Sequence, residues 1–127
     1  MGSYADDALF MSRNNIEYVE LISDDGKSKV MVIPAWQGRV MTTSAAGDEG
    51  DSYGWINYSF IKKRQIDLQF NPVGGEERFW LGPEGGVFSL YFRQGEKQIY
   101  KNWKVPPVLD IEAFKIQSQS KKLYMSN

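Results

Sequence analysis

The stretch "IEYVELISDDGKSKVMVIPAW", Ile16–Trp36, decides the fold. Two extended apolar runs flank the turn-forming "DDGKS", so the stretch predicts a β-hairpin with Gly26 in the turn. Pro34 has no amide donor, so it should end the second strand or lie where that strand bulges. The next run, "GRVMTTSAA" at Gly38–Ala46, predicts a third strand beside the hairpin. Together these runs indicate an antiparallel sheet.

Helical patterns are short and occur twice. Tyr4–Arg13 begins with an acidic turn and continues into an apolar stripe, which predicts one helix leading into the domain. Tyr58–Lys63 predicts a second, shorter helix. Everything else is short strand-like runs between glycine and proline turns, and a last hairpin is expected with Ser120 and Lys121 at its turn.

The predicted class is therefore all-β: an antiparallel β-sandwich with a short N-terminal helix. We expect residues 1–127 to form a single β-sandwich domain or the N-terminal fragment of a larger one, with residues 1–15 as a leader and short helix. No internal repeat or long linker divides the chain.

Composition excludes several classes of partner. Fifteen Lys and Arg residues against sixteen Asp and Glu give a net charge of −1 with no basic run, so neither nucleic acid nor an anionic membrane is an expected partner. No apolar run approaches the roughly 20 residues of a spanning helix, and no signal peptide is visible as written. The absence of cysteine removes thiolate chemistry, and "GDEGD" at Gly47–Asp51 lacks EF-hand spacing, so we expect no metal and no cofactor.

The glycine-flanked "GGEERFWLGPEGG", Gly74–Gly86, carries the most distinctive chemistry. As an extended run it would place Phe79 and Leu81 on one face, towards the core, and the following "VFSLYF" would add a second core face from Phe88, Leu90 and Phe92. The opposite face of the first run would carry a carboxylate, a guanidinium and an indole, from Glu76, Arg78 and Trp80.

This combination suits a sugar, because an aromatic plane covers C–H groups while charged groups bond to hydroxyls. A turn at Pro83 would present Glu84 to the same ligand. The predicted ligand-binding residues are thus Arg78, Trp80, Glu84, Glu76 and Trp36. The alternative is structural: an ion pair at a sheet rim, a packing tryptophan and ordinary turn glycines.

"VIPAWQGRVMTTSAAGDEGDSYGWINYSFI" followed by "GGEERFWLGPEGGVFSLYF" resembles the N-terminal part of a family of secreted, functionally uncharacterised bacterial proteins with a galactose-mutarotase-like β-supersandwich. The resemblance begins near Ile16, runs to the C-terminus and is most specific over Gly74–Phe92. It implies a partial supersandwich with a carbohydrate-binding concave face and a periplasmic or secreted location. Family members are longer, so this chain would supply only part of their fold.

The resemblance also implies which residues catalysis would need: aldose mutarotases use a histidine as acid and a glutamate as base. This sequence contains no histidine, and Arg78 cannot release a proton. Glu76 and Glu84 are the catalytic candidates, but each would be half of an acid/base pair.

The expected function is therefore non-catalytic carbohydrate binding. One alternative is an aldose-epimerase-like enzyme whose other catalytic residues lie outside this chain. A second is a structural β-module that assembles through sheet edges. We accordingly expect either a homo-oligomer or a chain that lacks a C-terminal segment.

Overall fold

A computed structural model of the protein describes residues 2–119. The first element is helix α1, Tyr4–Arg13, as predicted. Ser3 and Asp6 form a capping box at its start, because each side chain accepts a hydrogen bond from the other residue's backbone N–H. Its buried face carries Tyr4, Asp7 and Met11, so the helix is fixed to the rest of the chain along one side.

Three strands form one antiparallel sheet in the order β1, β2, β3. They are β1 Val19–Ile22, β2 Lys29–Ile33 and β3 Arg39–Ser44. The β1–β2 hairpin turns through Gly26 at φ 73°, and β2 ends where Pro34 begins a 3₁₀ turn, Pro34–Trp36. The short N-terminal helix and the antiparallel sheet are therefore confirmed.

The first core packs α1 and helix α2, Tyr58–Lys63, against this sheet. A buried network joins the layers: Asp7 accepts hydrogen bonds from the hydroxyls of Ser52 and Tyr58, and Ser52 also bonds to Thr42 at 2.5 Å. Burial and the bond to Asp7 raise the pKa of Tyr58 to about 12. The apolar residues buried in this core are Tyr4, Met11, Met31, Ile33, Met41, Ile56, Ile61 and Val73.

The two strands predicted over residues 76–92 are absent from the described chain, and that prediction was wrong. Within residues 2–119 the run shares one bridge with β3, between Val40 and Glu77, and no continuous ladder. Without a continuous ladder, alternation does not set the faces, so Phe79 and Leu81 are exposed where we had predicted core. Phe88 and Leu90 are also exposed, at 82% and 56%.

Residues 93–119 form short turns and one helix. They include a 3₁₀ turn at Tyr100–Asn102 and helix α3, Pro107–Asp110, where the sequence "VPPV" at Val105–Val108 had indicated an extended crossing segment. A proline at the first turn of α3 favours helix, because its missing N–H would be unpaired there anyway. The predicted turn at Ser120 and Lys121 lies outside the described residues.

A second, smaller core forms in this half of the chain. Tyr91, Val105 and Leu109 are its buried residues. Four further aromatic side chains pack against them: Phe70, Trp80, Phe92 and Trp103. This core explains why Trp80 and Tyr91 are packed while Phe79, Leu81 and Leu90 face solvent.

The glycine pair Gly74–Gly75 lets the chain leave the first core. Both residues have positive φ, at 94° and 112°. A Cβ on Gly74 would collide with the backbone oxygen of Trp55, and one on Gly75 would lie 2.8 Å from the Arg39 Cδ. Glycine is therefore required at both positions, because φ is positive there and neighbouring atoms leave no room for a Cβ.

We predict that Gly74→Ala lowers the free energy of unfolding by about 2–5 kcal/mol, since it adds both strain and a backbone clash. Gly82→Ala is the matched control, because φ at Gly82 is not positive and a Cβ there meets no atom within 4 Å. Urea unfolding of both variants measures the difference. Equal stability of the two variants would contradict this account of the turn.

Candidate functional site

Three of the predicted ligand-binding residues, Arg78, Trp80 and Glu84, lie together. The guanidinium carbon of Arg78 is 4.4 Å from the centre of the Trp80 ring, within cation–π range. The Trp80 Nε1–H donates a 2.6 Å hydrogen bond to Glu84 Oε1. The structure thus brings an indole, a guanidinium and a carboxylate into one group.

The indole in this group is already engaged by other rings. Trp80 stacks on Tyr91 at 4.9 Å, Tyr91 on Trp103 at 5.9 Å, and Trp103 on Tyr100 at 6.2 Å, with interplanar angles of 19–20°. We call these four rings the aromatic ladder. Desolvation raises the pKa of Tyr91, whose hydroxyl donates to the Leu81 carbonyl at 2.6 Å. Because the guanidinium and a neighbouring ring both cover the indole, Trp80 packs with Tyr91 and Trp103 in the second core, whereas Tyr100 ends the ladder in an exposed position.

The other two predicted residues lie elsewhere. The Glu76 carboxylate accepts a hydrogen bond from the Thr43 hydroxyl at 2.9 Å, beside β3. Trp36 is half-buried in the 3₁₀ turn between β2 and β3 and lines a cavity. The five predicted residues therefore occupy three places, and their roles as ligand contacts stay a prediction.

A buried polar cluster links the two cores, and it consists of Arg39, Asn71, Arg78 and Asp110. The Asp110 side chain is 1% exposed. Its Oδ2 accepts from the backbone N–H of Asn71 at 2.7 Å and from the Asn71 Nδ2 at 2.9 Å, and its Oδ1 faces the Arg78 Nη2 at 3.4 Å. Arg78 also donates to the Leu109 carbonyl. One carboxylate thus fixes the 71 region, the 78 region and α3 to one another.

Arg39 is the second cation of this cluster and is only 4% exposed. Its Nη1 donates to the Gly74 carbonyl at 2.6 Å, but its Nε has no hydrogen-bond partner within residues 2–119. Burial, reinforced by the nearby Arg78 charge and opposed by Asp110, lowers the pKa of Arg39 to about 10. Arg39 is therefore a charged donor with unused hydrogen-bonding capacity.

A cavity of about 360 Å³ opens beside this cluster. Its walls come from the end of α1, the 3₁₀ turn, α2, the 71–73 region and the segment after α3. Phe114 N–H donates to the Pro34 carbonyl at 2.9 Å, and Gln37 Nε2 to the Glu112 carbonyl at 2.8 Å, which closes the last segment over the turn. The polar and aromatic groups on its walls are Asn14, Trp36, Arg39, Phe60, Arg64, Gln65, Asn71 and Asp110.

Sequence reasoning found only Trp36 among these cavity residues. Arg39 could have been found, since alternation in "GRVMTT" places it on the same face as the buried Met41. The sequence around Asn71 and Asp110 gives no such indication. The two residues are 39 positions apart, and no strand pairing within residues 2–119 brings their segments together. The site depends on long-range contacts that a strand pattern does not encode.

No group of acidic side chains within residues 2–119 is arranged to hold a metal ion. The helices of that same range are too short and polar to cross a membrane.

The fold and the site define a small mixed protein, in which a helix-covered antiparallel sheet is joined to an aromatic core through a buried arginine–aspartate cluster. The chain belongs to a family of unknown function, DUF6786, whose family model matches residues 2–126. Searches of curated proteins and of solved structures found no match to the chain. The family description names no ligand and no activity.

We predict that Asp110→Ala lowers the free energy of unfolding by about 3 kcal/mol or more, because it leaves the Arg78 guanidinium without its carboxylate and two Asn71 N–H groups without their acceptor. Glu112→Ala removes a carboxylate from an exposed position two residues away and should change stability by less than about 0.5 kcal/mol. Denaturant unfolding distinguishes the two variants. A small effect of Asp110→Ala would mean that the cluster does not join the cores.

Proposed function

We propose that the protein binds a carbohydrate in the cavity beside Trp36, without catalysing a reaction on it. The observation that carries the proposal is the composition of the cavity wall. The wall contains a half-buried indole, a buried guanidinium, an amide and a carboxylate, and it surrounds a volume of about 360 Å³. That volume is within the range of about 300–1,000 Å³ typical of small-ligand sites.

The roles of the wall residues follow from their chemistry. A sugar presents hydroxyls that both donate and accept, together with apolar C–H faces. Arg64 and the Gln65 amide N–H groups can donate to hydroxyl oxygens, and the Gln65 amide oxygen can accept from hydroxyl hydrogens. The Trp36 indole supplies the apolar surface against which a sugar ring can lie.

The group formed by Arg78, Trp80 and Glu84 supports this proposal indirectly. Arg78 contacts both Asp110 and the Leu109 carbonyl, so it fixes the part of the wall that α3 provides. Trp80 in turn lies against the Arg78 guanidinium. We infer that the three residues position the cavity wall, in addition to the direct ligand contacts predicted for them from the sequence.

Binding is favoured over catalysis for two reasons. The sequence offers no histidine for proton transfer to a sugar ring oxygen. The cavity carboxylate, Asp110, already accepts hydrogen bonds from Asn71 and faces Arg78, so its oxygens are committed to the fold. A group held in this way suits fixed recognition better than proton exchange.

We further infer that β1–β3 belong to a galactose-mutarotase-like sandwich and that the protein is secreted or periplasmic. Both inferences rest on the sequence resemblance over Ile16 to the C-terminus. The antiparallel three-stranded sheet and its short leading helix are compatible with them.

Trp36→Ala should weaken sugar binding about tenfold or more, since loss of a large apolar contact costs about 1.5–3 kcal/mol. Trp55→Ala is the matched control, because Trp55 is 65% exposed and lies outside the cavity wall. Calorimetric titration of the full chain with galactose and glucose, and with their uronic acids, gives the affinities. Absence of binding to every one of these sugars, or equal effects of the two substitutions, would overturn the proposal.

A second candidate function, self-association, is favoured by an apolar segment exposed between Phe79 and Leu90. Val87 is 86% exposed and Phe88 is 82% exposed. Large apolar groups concentrated in one exposed segment are typical of protein interfaces. The outer strand β1 leaves its edge unpaired within residues 2–119, which offers a second copy a further contact.

We predict that the protein sediments as an oligomer and that Phe88→Asp shifts it towards the monomer by placing a charge in the contact. Leu68→Asp makes the same kind of change at a residue that is 67% exposed and lies outside the segment, so it should leave the oligomer intact. Sedimentation velocity over a range of concentrations measures both. A wild-type monomer throughout that range would contradict this second function.

A further inference from the structure

The charges around the cavity are unbalanced. Three charged residues line it: Arg39, Arg64 and Asp110. The Asp110 carboxylate is compensated from behind by Arg78, at 3.4 Å, and by the two N–H groups of Asn71. The positive charges of Arg39 and Arg64 therefore face the cavity without a carboxylate of their own among residues 2–119.

The two arginines differ in burial and in contacts. Each has side-chain N–H donors that make no hydrogen bond within residues 2–119. Arg39 is 4% exposed, and its buried Nε lacks a partner within the described chain. Arg64 ends α2 in a left-handed conformation at φ 52°, and its exposed side chain makes no hydrogen bond or ion pair within residues 2–119. A guanidinium that is buried with an unused N–H is costly unless an acceptor reaches it.

We propose that the cavity takes an acidic sugar, whose charged oxygens accept hydrogen bonds from Arg39 and Arg64. Guanidinium groups bind carboxylates and phosphates through paired N–H donors, and these charge-assisted bonds are stronger than those to a neutral hydroxyl. An anion at this place would compensate the two cations that the fold leaves facing the cavity. The inference deepens the carbohydrate-binding function proposed above and rests on it for the sugar part of the ligand.

The Trp36 indole and the polar groups of the wall complete the match. The indole gives the ring a face to lie against, whereas Gln65 and Asn71 provide amide groups at the same wall. A free small anion would use the arginines but leave the indole without a contact. A neutral sugar would use the indole but leave the two positive charges uncompensated.

The test is calorimetric titration of the full chain with two matched pairs, galacturonate against galactose and glucuronate against glucose. At least one acid should bind at least about tenfold more tightly than its neutral partner, and the difference should shrink as salt is raised. Galactose 6-phosphate separates a phosphate preference from a carboxylate preference. Acetate reports on the anion site without a sugar ring.

Arg64→Gln is the variant of choice, because Arg64 is exposed and its loss should leave the fold intact. It should reduce the preference for the acidic sugar to less than about threefold. Lys63→Gln removes the same charge from the adjacent exposed residue, which does not line the cavity, and should leave the preference unchanged. Equal loss in the two variants would assign the effect to net charge and overturn the inference.

The remaining outcomes separate the two proposals. If acids and neutral sugars bind equally, carbohydrate binding stands and the acidic preference is wrong. If acetate binds in an Arg64-dependent manner while no sugar does, the anion site stands and the carbohydrate function fails. If none of these probes binds, both proposals fail.

Discussion

The structure depends on one buried carboxylate. Asp110 is the point at which the sheet core and the aromatic core meet, because its two oxygens bond to Asn71 on one side and face Arg78 on the other. Removing an ionised group from water is costly, and here the cost is offset by nearby N–H donors and a guanidinium. The contact also spans 39 residues of chain, so it fixes the position of regions that share no strand pairing.

The aromatic ladder gives the second half of the chain the order that strands give the first half. The stacked rings of Trp80, Tyr91, Trp103 and Tyr100 lie at centroid distances of 4.9–6.2 Å. Stacking of this kind contributes about 0.5–1.5 kcal/mol per pair beyond burial. Because each ring belongs to an irregular segment, the ladder can order these segments while leaving Val87 and Phe88 in solvent. The stacking of the ladder rings and the exposure of the apolar segment therefore both result from a backbone that forms no strands in the described part of this half of the chain.

Local signals allowed the first half of the fold to be predicted. An acidic first turn marked α1, Gly26 marked the hairpin, and Pro34 marked the end of β2. The same reasoning failed over residues 76–92, because alternation indicates faces only where a strand has a continuous partner. The grouping of Arg78, Trp80 and Glu84 was predicted from a strand that does not form, and stacking and a hydrogen bond bring the residues together instead. Asn71 and Asp110 could not be found, since nothing in their own segments predicts a contact between them.

Arg39 connects the fold to the proposed ligand. Its lowered pKa means that the unfolded chain holds this proton more tightly than the folded one, so the charge opposes folding at neutral pH. That opposition weakens only as pH rises above about 10, where the folded chain loses the proton more readily than the unfolded chain does. A protein that needed Arg39 only for packing would gain by placing an apolar side chain beside Met41. A charge retained against this cost in a cavity wall is explained when an anionic ligand in the cavity compensates it.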